Sequence, residues 1–175
     1  MPLVEKRYAQ AFFDLAENDI DNVRMEFEDF VGIYNSDEEF RSFLVDPRVK
    51  LDNKQMVVRN VFTSSLSRNM LNFVLLLISK QRIKFVPQIY EAFIHLVNEK
   101  ANVLVMDIIT AVKLEEEQLN SIKEKFRSKY NASSVKATEI VDVSIIGGVK
   151  VIIGDKVYDG SIKGKLESLT ELVSI

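Results

Sequence analysis

A glycine-rich segment near the carboxyl end of the chain, residues 143–162, constrains the fold more than any other stretch. It holds four of the six glycines in a chain of 175 residues. Residues 149–153, Val-Lys-Val-Ile-Ile, have the two-residue alternation of a half-buried strand. Gly154 and Asp155 then form a two-residue turn, with glycine at the position where a type II′ turn requires positive φ. Residues 156–158 run back, so the segment predicts a β-hairpin.

A helix start follows the hairpin. Asp159-Gly160-Ser161 ends the second strand, and either Asp159 or Ser161 can accept a hydrogen bond from the first turn of a helix. Beyond this point the apolar residues recur at helical spacing, namely Ile162, Leu166, Leu169 and Val173. We therefore expect a final helix that lays one apolar face on the hairpin.

The glycines also suggest a phosphate-binding loop, but the spacing does not support one. A P-loop requires G-x-x-x-x-G-K-[ST], with the lysine on the phosphates and the hydroxyl on magnesium. Here Gly148 is followed five residues later by Ile153, then by Gly154 and Asp155, so the Lys-Ser/Thr pair is missing. A dinucleotide-binding G-x-G-x-x-G is also absent. A nucleotide-binding function remains an alternative, and it predicts ATP or phosphate binding that Gly148→Ala or Asp155→Ala abolishes.

The first hundred residues carry six stretches of helical period. Their apolar stripes start at Val4, Val23, Phe40, Met56, Met70 and Ile89. Ser36 and Glu39 have the spacing of a capping box for the third helix. The fifth, from Ser67 to Gln81, is apolar nearly all round. Six helices joined by short polar turns predict a compact bundle.

The period changes near residues 101–102. Residues 103–112 are apolar on both faces, which predicts an interior strand covered on both sides. A helix over 114–126 and a strand over 135–143 follow, and with the hairpin and last helix they complete a β-α-β-β-β-α unit. The predicted class is α+β, mostly α: a six-helix domain over 1–104, then a small α/β domain over 105–175 with a short mixed sheet and two helices.

Composition excludes several kinds of function. The formal charge is −3 and the pI is about 5.4, so no basic field favours nucleic acid. The chain has no cysteine and one histidine, His95, which leaves little for a metal cluster or a catalytic triad. No apolar run approaches the ~20 residues that span a bilayer, and no secretory signal is visible. We expect a soluble protein without metal or cofactor, which reaches a membrane only through partners.

No set of catalytic residues is apparent, so the function that remains is the binding of a partner. The acidic clusters fall on solvent-facing helix positions and helix starts, and no G-x-S-x-G motif is present. On the first helix, the small Ala11 lies between Tyr8, Phe12 and Leu15 and leaves a dent where another helix can dock. On the fifth helix, a bundle cannot point all of Val74–Ile78 inward, so some apolar surface needs a cover.

The glycine-rich segment resembles a known family. Gly147-Gly148, Gly154-Asp155 and Asp159-Gly160-Ser161-Ile162, in that order, look like the C-terminal signature of the delta subunit of F-type ATP synthases, whose mitochondrial relative is the oligomycin-sensitivity-conferring protein. Residues 6–12 with Leu15-Ala16 resemble the family's opening Y-A-x-A-L/F motif. Scattered positions match along the rest of the chain, namely Leu44, Pro47, Lys54, Asn72, Phe73, Leu77, Arg82, Ile89 and Phe93.

The resemblance implies a non-catalytic stator subunit that links the catalytic head to the membrane sector. It implies that the helical domain binds an N-terminal helix of a head alpha subunit in the groove between its first and fifth helices. The residues it places there are Tyr8, Ala11, Phe12 and Leu15 on one side and Phe73, Leu76 and Lys80 on the other. It implies that the C-terminal domain binds the b subunits of the peripheral stalk.

The resemblance also implies one copy per hetero-oligomeric complex, held peripherally at the cytoplasmic face of a bacterial cell membrane, with no cofactor. It gives a structural role to the signature residues Gly147, Gly148, Gly154, Asp155, Asp159, Gly160 and Ser161. The alternative is a free-standing helical adaptor that binds an unrelated amphipathic peptide and has no affinity for ATP synthase subunits.

Overall fold

The computed structural model describes residues 3–16 and 19–173, with only the backbone described at residues 3, 168 and 170–173. The chain divides into two compact units, Met1–Val97 and Asn98–Ile175. The fold is mostly helical α+β with a small four-stranded mixed sheet, which confirms the predicted class.

Six α-helices lie in the described part of the first hundred residues, where the apolar periodicity predicted them. They are α1 (Leu3–Leu15), α2 (Ile20–Ser36), α3 (Glu38–Val45), α4 (Leu51–Phe62), α5 (Arg68–Ser79) and α6 (Val86–Lys100), with a 3-10 helix at Ile83–Phe85 before α6. Ser67 caps α5, because its Oγ accepts a hydrogen bond from the Met70 N–H at 3.3 Å. The same hydroxyl donates to Glu26 Oε2 at 2.6 Å and so ties the start of α5 to α2.

The predicted capping box of α3 is wrong. Ser36 is the last residue of α2, and α3 begins only at Glu38. Asp37 is the cap instead, since its Oδ1 accepts a hydrogen bond from the Phe40 N–H at 2.9 Å. An aspartate one position later satisfies the first turn of the helix as well as a serine does, so spacing alone does not decide between them.

The helix α5 is the centre of the first unit. Seven of its residues are buried: Met70, Leu71, Phe73, Val74, Leu75, Leu77 and Ile78. Leu76 is the exception, with 43% of its surface exposed. The first unit therefore buries more of Val74–Ile78 than expected, and the uncovered apolar surface in that run is Leu76. The ring of Phe73 on this helix belongs to an aromatic cluster with Phe12, Phe27 and Phe93, whose contacting rings have centroids 4.1 to 5.9 Å apart.

The second unit has the predicted β-α-β-β-β-α order. Its elements are β1 (Val103–Thr110), α7 (Glu116–Tyr130), β2 (Ser134–Val141), β3 (Val149–Ile153), β4 (Lys156–Asp159) and α8 (Ile162–Val173), with a 3-10 helix at Val143–Ile145. The strand order is β2-β1-β3-β4, in which β1 pairs parallel with β2 and antiparallel with β3. The strand β3 pairs antiparallel with β4 as a hairpin.

Only one face of this sheet carries the core. Met106, Ile108 and Val151 are buried together with Phe126 of α7. On the opposite face Val105 is 46% exposed and Val157 is 54% exposed. The prediction that β1 is covered on both sides is therefore wrong. A continuous apolar run identifies an interior strand, but it does not show that both faces have a cover.

The last helix also differs from its prediction. Instead of lying buried on the hairpin, Ile162, Leu166 and Leu169 are 46%, 51% and 58% exposed. The side chain of Val173, predicted in the same stripe, lies outside the described part of the chain. Helical spacing predicts that one face is apolar, but it does not predict what covers that face.

The two units divide between Val97 and Asn98, earlier than the predicted boundary between residues 104 and 105. That boundary would cut β1, whose first residue is Val103. Every residue of β1 pairs with β2, from Val103 opposite Ser134 onward. The start of the strand therefore belongs with the second unit.

Candidate partner-binding groove

The helix α1 has two apolar stripes offset by one residue. Ala9, Phe12 and Ala16 are buried in the core. One position earlier, Tyr8 is half-buried, Ala11 is exposed and Leu15 is 68% exposed. One residue turns a helix by about 100°, so the second stripe lies beside the core-facing one rather than under it. It presents apolar side chains at the surface of the first unit.

This second stripe forms one wall of a groove between α1 and α5. The groove has a volume of about 430 Å³. Its lining consists of Val4, Arg7, Tyr8, Ala11, Phe12, Leu15, Phe73, Leu76 and Arg82. The structure thus brings together Tyr8, Ala11, Phe12, Leu15, Phe73 and Leu76 from the set that the family resemblance singled out.

The floor of the groove is an aromatic stack. The rings of Phe12 and Phe73 lie 4.1 Å apart at an interplanar angle of 14°, and the two side chains are 1% and 6% exposed. Ala11 leaves space above this floor, while Leu15 and Leu76 stand on either side. A rigid apolar floor with small and large residues along its edge suits the apolar face of another helix.

Lys80 does not line the groove; it is exposed beyond the end of α5. The helix ends in a Schellman motif, in which Gln81 has a positive φ of 56° and the Arg82 N–H donates to the Leu77 carbonyl at 2.7 Å. This turn brings Arg82 back over Tyr8, with its guanidinium carbon 5.8 Å from the ring centroid. Arg82 was among the positions that match the family, so a signal for it was present in the sequence.

The glycine-rich signature is a close crossing of two backbone segments. A β-carbon on Gly148 would lie 2.4 Å from the Gly160 carbonyl oxygen, and Gly148 has a φ of 81°. The Gly160 N–H donates to the Val149 carbonyl at 2.9 Å, and the Ile162 N–H donates to the Gly147 carbonyl at 3.0 Å. The chain's own backbone therefore fills the space beside these glycines, which argues against a phosphate cradle there.

The turn and cap chemistry of the signature agrees with the sequence prediction. Gly154 has a φ of 55°, whereas Asp155 does not have a positive φ, as a type II′ turn requires. Ser161 Oγ accepts a hydrogen bond from the Gly164 N–H at 3.0 Å and so caps α8. Asp159 Oδ1 accepts from the Ser161 N–H at 2.8 Å. Hydrogen bonding from Ser161 holds the pKa of the Asp159 carboxyl below its ordinary value.

A second apolar surface lies in the second unit, and we call it the α8 stripe. It consists of Ile162, Leu166 and Leu169. The 3-10 helix at Val143–Ile145 contacts α8, and next to it Ile146 is 61% exposed. Isolated exposed apolar residues are ordinary, but a stripe of three at helical spacing beside a further exposed isoleucine marks a candidate interaction surface.

Metal-ion clusters and membrane-spanning helices are both absent from the described part of the chain. Among the described side chains of residues 4–16 and 19–169, no cluster of histidine, aspartate or glutamate has the arrangement to hold a metal ion. None of the helices built from those residues is both long and apolar enough to cross a membrane.

Comparison with known proteins shows similarity to ATP synthase delta subunits over nearly the whole chain. The family model of the ATP synthase delta (OSCP) subunit matches residues 4–173. ATP synthase subunit delta of Ruminiclostridium cellulolyticum is 59% identical over 175 residues, which is the full length of both chains. ATP synthase subunit delta of Acetivibrio thermocellus is 41% identical over 173 residues, covering 98% of this chain and 97% of that protein.

The fold also matches a solved structure. A chain in the cryo-EM structure of the Toxoplasma gondii mitochondrial ATP synthase hexamer superimposes with a TM-score of 0.74. The match covers 100% of this chain and 99% of that chain at 20% sequence identity, so it supports the similarity of the fold.

Proposed function

The chain belongs to the family of ATP synthase delta (OSCP) subunits, the non-catalytic stator subunits of F-type ATP synthases, and from that premise we propose that its groove binds the catalytic head. The occupant in this proposal is the N-terminal helix of an alpha subunit. The observation that carries it is the groove itself. Exposed Ala11 and Leu15 on α1 face Leu76 on α5 across a floor of stacked phenylalanines.

We further propose that α1 to α6 act as one rigid six-helix bundle that supports the groove. Residues from all six helices share a single buried core, which includes Phe12, Phe27, Leu44, Val58 and Phe93 together with α5. A close-packed core of this kind has low compressibility and transmits force. A domain with such a core suits a subunit that holds the head against the torque of the rotating shaft.

The second unit, in this proposal, binds the b subunits of the peripheral stalk through the α8 stripe. An amphipathic helix of a partner can lay its apolar face on another apolar stripe, and the half-exposed stripe of Ile162, Leu166 and Leu169 is a surface of that kind. The chain would then act as one copy in a hetero-oligomeric complex, held peripherally at the cytoplasmic face of a bacterial membrane by its partners. The described helices contain no membrane span that would hold it there directly.

The groove proposal is tested by calorimetry with a synthetic peptide from the N-terminus of the organism's own alpha subunit. Wild type should bind with micromolar or tighter affinity. Ala11→Asp should weaken binding about tenfold or more, equivalent to about 1.4 kcal/mol, because it places a carboxylate over the apolar floor. Ala101→Asp is the matched control, since Ala101 is exposed and does not line the groove.

The outcomes of this titration separate the alternatives. Tight binding that Ala11→Asp leaves unchanged would move the alpha-subunit site elsewhere on the chain. No binding by a folded protein would contradict the groove assignment. If the stalk b subunits also failed to bind, both proposed surfaces would be wrong, and the family's contacts would lie elsewhere on the chain.

The stalk proposal is tested with the soluble C-terminal segment of the b subunits. Leu169→Ser should weaken that binding about tenfold, because truncating and polarising an interface leucine removes buried apolar area. Leu51→Ser is the matched control, since Leu51 is 44% exposed and lies on α4 of the first unit. Equal effects of the two variants would contradict a specific role for the α8 stripe.

A further inference from the structure

The charged residues that line the groove between α1 and α5 are unevenly distributed along its length. Arg7 and Arg82 lie in the end of the groove that runs from Val4 to Tyr8, where the Arg82 guanidinium carbon is 5.8 Å from the tyrosine ring centroid. The other end is marked by Leu15 and is apolar. Seven residues separate Tyr8 from Leu15, which is about 10 Å along a helix. Two positive charges therefore lie at one end of the groove only.

These two cations are available to a partner. Within the described residues, neither guanidinium takes part in an ion pair, and the groove lining contains no carboxylate. Arg7 is exposed, and Arg82 is half-buried against Tyr8. The local charge is thus positive on a chain whose formal net charge is −3. Such a local reversal of sign favours an acidic partner segment at this end.

We propose that the groove is specific for an amphipathic helix that carries carboxylate side chains at one end, and that this end lies against Arg7 and Arg82. The apolar positions of such a helix, spaced three and four residues apart, would rest on Phe12 and Phe73 and between Leu15 and Leu76. The carboxylates fix the direction in which the helix lies, because the opposite direction would leave them over the apolar end, unpaired.

The length of the groove sets the length of the occupant. From Val4 to Leu15 the lining residues of α1 extend over three turns, about 17 Å. An occupant helix of about eleven residues covers that distance. This inference rests on the proposed function, in which the occupant is the N-terminal helix of the alpha subunit. It adds which end of that helix is acidic and which residues of this chain recognise it.

The test is a double-mutant cycle between charges on the two partners. The protein variants are Arg82→Gln and Arg7→Gln, and Lys80→Gln is the matched control, because it removes a nearby positive charge that does not line the groove. The peptides are the wild-type alpha N-terminus and the same peptide with every Glu and Asp replaced by its amide. Affinities are measured at about 50 mM and about 500 mM NaCl, which spans strong and weak screening.

With the acidic peptide at low salt, Arg82→Gln should weaken binding about fivefold and Arg7→Gln about twofold, whereas Lys80→Gln should change it less than about twofold. With the amide peptide, the arginine variants should bind as wild type does. At high salt the difference between the two peptides should shrink, because exposed charges are screened. Arg7 is exposed on α1, so its variant decides the result if Arg82→Gln does not fold.

Several results would overturn the inference while leaving the groove in place. One is an equal effect of Lys80→Gln and Arg82→Gln, which would indicate a general charge effect. Another is wild-type protein that binds the acidic and amide peptides equally, or an alpha N-terminus that carries no carboxylate. In these cases Ala11→Asp still weakens binding. If Ala11→Asp does not change the affinity for the peptide, the proposed site itself is wrong. The inference about the acidic end of the helix is then wrong as well.

Discussion

At the scale of single residues, the missing β-carbon of Gly148 is the tightest constraint in the second unit. Gly148→Ala would place a methyl group 2.4 Å from the Gly160 carbonyl oxygen, at a φ of 81° that L-residues rarely adopt. We expect a loss of about 2–4 kcal/mol in the free energy of unfolding, from the clash and the backbone strain together. Urea unfolding followed by the NMR signals of the Tyr130 and Tyr158 rings measures it in the unit concerned.

Two other glycines separate the causes. Gly154→Ala keeps the strained backbone, with a φ of 55°, but its β-carbon meets nothing within 4 Å, so we expect a loss of about 1 kcal/mol. Gly32 lies within α2 with open space around it, and Gly32→Ala should be neutral or stabilising by up to about 1 kcal/mol. Equal costs at Gly148 and Gly154 would contradict the close crossing.

Asp159 gives the second unit a pH dependence. Its pKa is lowered in the folded chain by hydrogen bonding from Ser161, so the folded state binds the proton less readily than the unfolded state. The resulting stability is complete above the ordinary aspartate pKa of about 3.9 and is lost as the pH falls through the lower folded value. Asp159→Asn keeps an acceptor oxygen without the charge. The difference in Tm between the two proteins should therefore be larger at pH 7 than at pH 3, and a difference independent of pH would contradict this.

Sequence spacing identified the exposed stripe of α1, and the family resemblance implied a groove between α1 and α5, but neither identified all of the residues that line it. Tyr8, Ala11 and Leu15 were recognisable because they form a stripe with a small residue in it. The sequence could not show that Arg82 lines the groove and that Lys80 does not. The placement of both residues depends on the left-handed conformation of Gln81, which ends α5. Such positions usually hold glycine, so a glutamine there gives no signal of the turn.

At the scale of elements, two adjacent residues of α5 have different roles: Leu77 stabilises the fold and Leu76 contributes to binding. Leu77 is fully buried, and Leu77→Ala should cost about 2–5 kcal/mol of stability through the cavity it leaves. Leu76 is 43% exposed in the groove, so Leu76→Ala should cost less than about 1 kcal/mol. The same Leu76 variant should weaken binding of the alpha-subunit peptide about fivefold or more, since an apolar contact is lost.

Chemical denaturation and calorimetry on the two leucine variants test this division. Leu77→Ala should bind the peptide almost normally under conditions where it is folded. If Leu76→Ala bound the peptide as wild type does, the groove wall formed by α5 would contribute nothing to recognition. If both variants lost stability equally, Leu76 would not be a surface residue of the folded protein.

The elements themselves were predictable, but the surroundings of their faces were not. Helical and two-residue periods depend only on neighbouring residues, so all six early helices and the hairpin were found from spacing. The cover over a face depends on distant parts of the chain and on partners. For that reason β1 is covered on one side rather than two, and the apolar residues of α8, such as Leu169, are exposed. In both cases the error concerns what covers an apolar face, which the spacing of residues within one element does not specify.

At the scale of the whole molecule, the two candidate surfaces lie on different units. The groove is formed by α1 and α5 in the first unit, and the α8 stripe lies in the second. A stator connects two bodies in series, so the loss of either contact breaks the connection. The family membership and the positions of these surfaces together predict how variants behave in the assembled enzyme.

Complete ATP synthase, reconstituted in vesicles with variants of this subunit, measures the connection directly. Ala11→Asp and Leu169→Ser should each leave ATP hydrolysis by the head within about twofold of wild type, because the chain supplies no catalytic group to it. Each should lower ATP-driven ion uptake in proportion to the fraction of complexes that lose the stator contact, because a head that is no longer held does not drive the shaft against the membrane sector. Ala101→Asp and Leu51→Ser serve as the matched controls.

The double variant distinguishes a series connection from two independent contributions. If the two contacts lie in series, a connection already broken at one end loses little more when the other end is also weakened. The double variant should therefore pump ions about as poorly as the worse of the two single variants. Losses that multiply, as independent sites would give, would contradict the series arrangement and indicate that each surface supports coupling by a separate route.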